Sequence, residues 1–148
     1  MMKGSRRQSR ELALQGLYQW LLNESDAESV LAQLADAEGY ARTDQPYLEQ
    51  LIRNVVADIG VLREKIDPVL DRPIGQLSPI EHALLLMAAS EMRVQPDTPY
   101  RVIINEAVEL AKSYGGTDGH KYVNGVLDKL AVELRPLEAQ PRAKRGAR

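Results

Sequence analysis

The sequence contains no cysteine, which excludes disulfides, thiolate catalysis and Cys-based zinc sites together. Imidazole is almost as scarce: His82 and His120 are the two histidines. They lie far apart in sequence, and a metal needs several ligands, so neither a metal site nor a cofactor is expected. No run approaches the roughly 18 uninterrupted apolar residues of a membrane span, and the N-terminus lacks the apolar core of a secretory signal. A soluble, cytoplasmic chain is the expectation. Sustained period-two alternation is missing as well, which leaves no half-buried strand from which to build a sheet. Ser113 to Gly125 read SYGGTDGHKYVNG, rich in glycine but without a phosphate loop. Such a loop needs GxxxxGK followed by Ser or Thr after a strand, whereas GGTDGHK runs into Tyr122 between two helical segments.

The chain is 148 residues long and 44% hydrophobic, enough for one domain, or two small subdomains sharing a core. Its net charge of −2 conceals an asymmetry. Lys3, Arg6, Arg7 and Arg10 make residues 1–10 +4, and Arg135, Arg142, Lys144, Arg145 and Arg148 against Glu138 make residues 135–148 +4, so residues 11–134 carry −10. An acidic body with basic ends points to a polyanion held by the ends. Residues 1–10 read as a poorly ordered basic arm continuing into helix one. Residues 135–148, with Pro136, Pro141 and Gly146, read as a disordered basic tail.

Helical spacing recurs throughout, giving about seven helices. The first runs from about Arg6 to Asn23 around Leu14, Leu17 and Leu21, and a short second one spans Glu28 to Ala37. The third follows Asp44 through Leu48, Leu51, Ile52, Val55 and Ile59, loosening at Gly60. A fourth, from Val61 to Leu70, is shortened by Pro68. The fifth opens with SPIE, in which Ser78 caps, Pro79 suits the first turn and Glu81 completes a capping box. Its apolar centre, HALLLMAAS, reads as the central post of the fold. Glu91 falls on that helix's apolar stripe, where a core-edge carboxylate paired with a base is favoured over a catalytic acid. Thr98-Pro99 starts the sixth helix, which aligns Ile103, Ala107, Leu110, Ala111 and Tyr114. Gly115 and Gly116 stop it, and Asp118 caps the seventh, which ends before Pro136.

Arg6 and Arg10 lie about 40° apart on a helix, with Arg7 about 100° from Arg6. This cluster continues the line of the buried Leu14–Leu17 stripe, so it is expected to project beyond the core or fray, the more so because three arginines oppose the helix dipole. An anionic backbone is what would order it. Tyr18 and Leu22 form an i, i+4 pair on the shoulder of helix one, suited to a protein partner. On helix seven, Lys121 faces solvent with Tyr122 and Asn124 on its shoulders. A base could stack on Tyr122, a base edge could meet Asn124, and Lys121 could hold a phosphate, as single-stranded RNA recognition requires. His120 reads as a packed or capping residue.

The segments RELALQGLYQW, PYRVIINEAVELAKSYG and HKYVNGVLDKL, in that order between Arg6 and Leu134, resemble the signature segments of the NusB family of bacterial antitermination factors. The resemblance implies an all-α fold in residues 6–134, two three-helix bundles around a shared core helix, and a non-enzymatic role. With ribosomal small-subunit protein ten, called NusE in this context, such proteins bind boxA-type RNA and join the transcribing RNA polymerase, supporting ribosomal RNA synthesis. Some also self-associate as homodimers. It further implies that Lys3, Arg6, Arg7, Arg10, Lys121, Tyr122 and Asn124 contact RNA, and that Tyr18, Leu22, Glu81 and Asp118 contact the protein partner. Gln8 and Ser9 interrupt a basic run that is denser in some relatives, and Tyr122 stands where Phe is common. The alternative is the RNA-binding helical domain of ribosomal RNA cytosine methyltransferases. That activity requires a cofactor domain and catalytic cysteines, which this sequence lacks.

Overall fold

A computed structural model of the chain describes residues 4–114, 116 and 118–139. It contains seven α-helices: α1 Arg6–Asn23, α2 Ala27–Ala35, α3 Gln45–Ala57, α4 Ile59–Ile66, α5 Pro79–Val94, α6 Tyr100–Tyr114 and α7 Gly119–Leu134. Helices α1, α2 and α3 pack on one another, as do α5, α6 and α7, and α5 also packs against α1, α3 and α4. This is the expected pair of three-helix bundles about a shared post. Every residue of α5 from Ala83 to Met92 is buried, which explains why its centre is apolar nearly all round.

Local chemistry fixes most of the helix starts. Ser78 Oγ accepts from Glu81 N at 3.1 Å while Glu81 Oε1 accepts from Ser78 N at 3.2 Å, a complete capping box. Asp26 caps α2 through Ser29 N at 2.8 Å and Asp44 caps α3 through Tyr47 N at 3.2 Å. The break between α3 and α4 falls at Asp58, and Gly60 lies inside α4, so the glycine is not what ends α3. Pro68 sits in a single tight turn, Asp67–Val69, immediately after α4. Asp118 precedes α7 without a side-chain capping bond; its backbone carbonyl accepts from Tyr122 N instead. Tyr114, expected on the core stripe of α6, is 38% exposed and donates its hydroxyl to Glu11 Oε2 at 2.6 Å.

The described residues nearest each end of the chain, 4–9 and 135–139, are held by specific bonds. Ser5 caps α1 through Gln8 N, donates its own N–H to Arg42 O at 2.9 Å and accepts from Asp44 N at 3.3 Å. Ser9 adds a buried bond from its hydroxyl to Asp44 O at 2.8 Å. Gly4 runs so close to this segment that a Cβ there would lie 1.7 Å from Thr43 O, a position only glycine fits. At the other end, residues 135–139, expected as disordered, form a clasp over the α5–α6 joint. Arg135 donates to Met92 O at 2.8 Å and Gln95 O at 2.9 Å, satisfying carbonyls at the end of α5. Glu138 accepts from Tyr100 N at 2.9 Å at the start of α6 and pairs with Arg135 at 2.6 Å. Lys3 and residues 140–148 lie outside the described residues.

Candidate functional site

The three arginines of the N-terminal cluster have separate fates. Arg10 is buried, its side chain 6% exposed against 2% for Glu91. Its Nε donates to both Glu91 oxygens, at 3.1 and 2.9 Å, and its Nη2 donates to Oε1 at 2.7 Å. Tyr47 also donates its hydroxyl to Glu91 Oε1. Burial, followed by the Glu91 charge, pushes the Tyr47 phenol up to about 12, so it stays a donor at neutral pH. The expectation that the whole cluster projects or frays therefore fails at Arg10. Its charge is spent inside the fold on the base-seeking Glu91.

Arg6 and Arg7 remain available. The Arg6 guanidinium lies 4.2 Å over the Tyr47 ring with Nε 3.9 Å from Asp44, and its side chain is 52% exposed. Arg7 donates Nε and Nη2 to Glu106 of α6 at 3.1 and 2.9 Å while staying 67% exposed. No acid stands in the first turn of α1. Asp44, Glu106 and Glu91, from three other parts of the chain, supply the compensation that the helix itself lacks.

On α7, Lys121 is exposed and 3.6 Å from Asp118. Asn124 opens onto a shallow cleft shared with Arg101 and Asn105 of α6. Helix α6 thus lies between the two expected RNA surfaces, with Glu106 holding Arg7 and Asn105 beside Asn124. Tyr122 is half-buried against the core, and its hydroxyl is buried without a hydrogen bond of ordinary geometry. Above its ring, at 4.2 Å, sits the guanidinium of Arg72 from the α4–α5 loop. Sequence reasoning missed Arg72, because a loop residue between Asp71 and Pro73 carries no periodicity that would pair it with α7. A Cβ at Gly125 would meet open space, so no packing among the described residues accounts for that glycine.

The expected partner-binding residues fall in two places, Tyr18 and Leu22 on α1 and Glu81 and Asp118 at the starts of α5 and α7. Leu22 is 54% exposed, and Tyr18, one turn earlier, borders a cleft with Ile80 and Tyr114. Next to Ile80, Glu81 Oε2 faces the start of α7, where a Cβ on Gly119 would come within 3.8 Å of it. Asp118 precedes Gly119 and is exposed. His120 is half-buried. His82 accepts from Arg63 Nε at 3.4 Å, and burial, followed by the Arg63 charge, lowers its imidazole to about 4. Among the described residues no group of three or more His, Asp or Glu side chains is placed to hold a metal, and no helix is long and apolar enough to cross a membrane.

A family model described as the NusB family matches residues 7–132. The chain is 59% identical over 147 residues to the transcription antitermination protein NusB of Burkholderia pseudomallei and to that of Burkholderia thailandensis, with 99% of this chain and 100% of each relative covered. Among solved structures it is similar to T. maritima NusB, at 29% identity, covering 98% of this chain and 99% of that one with a TM-score of 0.81. A chain from the crystal structure of antitermination factors NusB and NusE in complex with double-stranded RNA shares the fold. It is 22% identical, covers 84% of this chain and 94% of its own, and has a TM-score of 0.73.

Proposed function

The chain belongs to the NusB family, and from that premise we propose that it is a non-enzymatic RNA-binding adaptor in transcription antitermination. It takes boxA-type single-stranded RNA together with ribosomal small-subunit protein ten and carries both to RNA polymerase during ribosomal RNA synthesis in the cytoplasm. The observation that carries this reading is the pair of exposed side chains of Arg6 and Arg7, set at the end of a body whose residues 11–134 are strongly acidic. Such a distribution attracts phosphate at one place and repels it elsewhere. The neighbour described as NusB and NusE in complex with double-stranded RNA supports RNA and NusE as the partner classes. Full-length cover of relatives named as antitermination proteins favours the adaptor over a methyltransferase-like domain.

In this reading Lys3, Arg6 and Arg7 hold phosphates, Lys121 and Asn124 meet the RNA beyond α6, and Leu22, Tyr18, Glu81 and Asp118 receive the ribosomal protein. Arg10 acts by fixing α1. A homodimer would hide the arm until RNA or partner displaces one copy. The test is a titration of boxA-like against scrambled RNA, with and without ribosomal small-subunit protein ten. Preference for boxA-like RNA, and tighter binding when the partner is present, are the expected results, the gain being reciprocal between the two ligands. Equal affinity for both RNAs with no effect of the partner would refute the adaptor.

A further inference from the structure

The sequence offers Tyr122 as a ring on which an RNA base stacks, but the folded chain does not leave that ring free. One side of Tyr122 packs on the core, and Arg72 lies over the ring at 4.2 Å. Asp71 accepts from Arg72 Nε at 2.8 Å, fixing the guanidinium plane from its edge. The Arg72 side chain stays 39% exposed; with the ring beneath it and Asp71 at its edge, a ligand reaches it from the side away from Tyr122.

Local charge decides what this exposed plane is for. The cations here are Arg72 and Lys121, while Asp71, Glu81 and Asp118 are all nearby: Asp71 and Asp118 pair with the two cations, and Glu81 faces the start of α7. With two cations among three carboxylates, the neighbourhood has no excess of positive charge for a phosphate. What it does offer is a flat, weakly hydrated guanidinium held on an aromatic ring, a surface on which bases stack.

We infer that Arg72, carried on Tyr122, is the stacking platform for one unpaired RNA base at the α7 surface. Tyr122 holds the platform, and the base lies on the guanidinium. This rests on the proposed RNA-binding function and adds to it a residue from the α4–α5 loop, far in sequence from the RNA-contacting segments.

Lysine keeps the charge and loses the plane, so Arg72→Lys and Arg72→Ala separate stacking from attraction. Both are measured with boxA-like RNA carrying 2-aminopurine at one position at a time, by anisotropy and by fluorescence quenching, after each variant is checked for an unchanged unfolding midpoint. Stacking predicts that both variants bind roughly 5- to 150-fold more weakly, the range expected for one base on one platform. It also predicts that the same single 2-aminopurine position loses its quenching in both, and that the salt slope of Arg72→Lys matches the unmodified protein. Tyr122→Phe, which keeps the ring, retains the quenching. Wild-type affinity in Arg72→Lys, or in both variants, would overturn the platform while leaving RNA binding intact. Absence of RNA binding by the unmodified protein would instead overturn the parent function.

Discussion

Replacing Arg10 with Met leaves the Glu91 carboxylate, 2% exposed, without its cation and without three of its hydrogen bonds. Breaking a buried pair from one side costs about 3–5 kcal/mol, because the surviving charge has neither water nor partner. In a domain whose total stability is on the order of 5–15 kcal/mol that is a large share. At roughly 2–4 °C per kcal/mol it lowers Tm by about 6–20 °C. Removing the whole group is a different perturbation. In the triple variant Arg10→Met, Tyr47→Phe, Glu91→Leu no charge and no hydroxyl is stranded, and the Phe ring still lies under Arg6. Buried ion pairs exchanged for apolar residues of similar volume are often neutral or better, so the triple variant recovers most of the loss. Urea unfolding followed by circular dichroism, with the slope checked for constancy, measures both. A loss under about 1 kcal/mol in Arg10→Met, or a triple variant no more stable than the single one, refutes the reasoning. RNA binding of the triple variant provides an independent check: affinity falls because the lock on the direction of Arg6 is gone, while the log–log salt slope stays unchanged if Arg10 only positions α1 and drops by about 0.7 if Arg10 itself holds a phosphate.

Arg6→Ala with Arg7→Ala should weaken RNA binding and reduce the magnitude of the log–log salt slope by about 1.4, two phosphate contacts at roughly 0.7 each for a single strand; an unchanged slope counts against these contacts. Because the start of α1 is already bonded to residues 42–44, helicity at 222 nm should not rise when RNA binds, and a gain of a full helical turn would show that the arm orders only on binding. Arg135→Ala removes the bonds to Met92 O and Gln95 O and should cost about 2 kcal/mol in urea unfolding with RNA affinity unchanged; a neutral result would mean the clasp contributes nothing. His82 titrates near 4 in the fold but near 6.5 once unfolded, so the unfolded state takes up the proton first. Stability is therefore full above about pH 6.5 and lost as pH falls toward 4, by at most about 3 kcal/mol at 1.36 kcal/mol per pH unit, and less because the ring keeps some solvent. His82→Gln should flatten the stability profile in that window, which urea midpoints at pH 7 and 5 would reveal.

What could be read from the sequence were the features whose causes lie within one turn of each other. Ser78 with Glu81, Asp44 with Pro46, and the apolar centre HALLLMAAS of α5 are local signals, and each holds in the fold. Arg10 and Glu91 were both visible as anomalies, one a base on the line of a buried stripe and the other an acid on an apolar one. They are 81 positions apart, and nothing in helical spacing says that each resolves the other. The same limit hid Arg72, whose partner Tyr122 lies on another helix, and the Arg135 clasp, whose acceptors are carbonyls that α5 exposes only where it ends.

The Arg10 pair also changes what the arm is. Arg6 stands one helical turn before Arg10, so locking Arg10 to Glu91 fixes the direction in which Arg6 leaves α1, and Glu106 fixes Arg7 beside α6. An arm ordered only by its ligand would lose conformational entropy at the moment of binding. An arm held by a buried charge has lost that entropy in folding, so more of each phosphate contact is retained as affinity. The arginine that contributes least directly to an RNA surface is then the one that makes the other two effective.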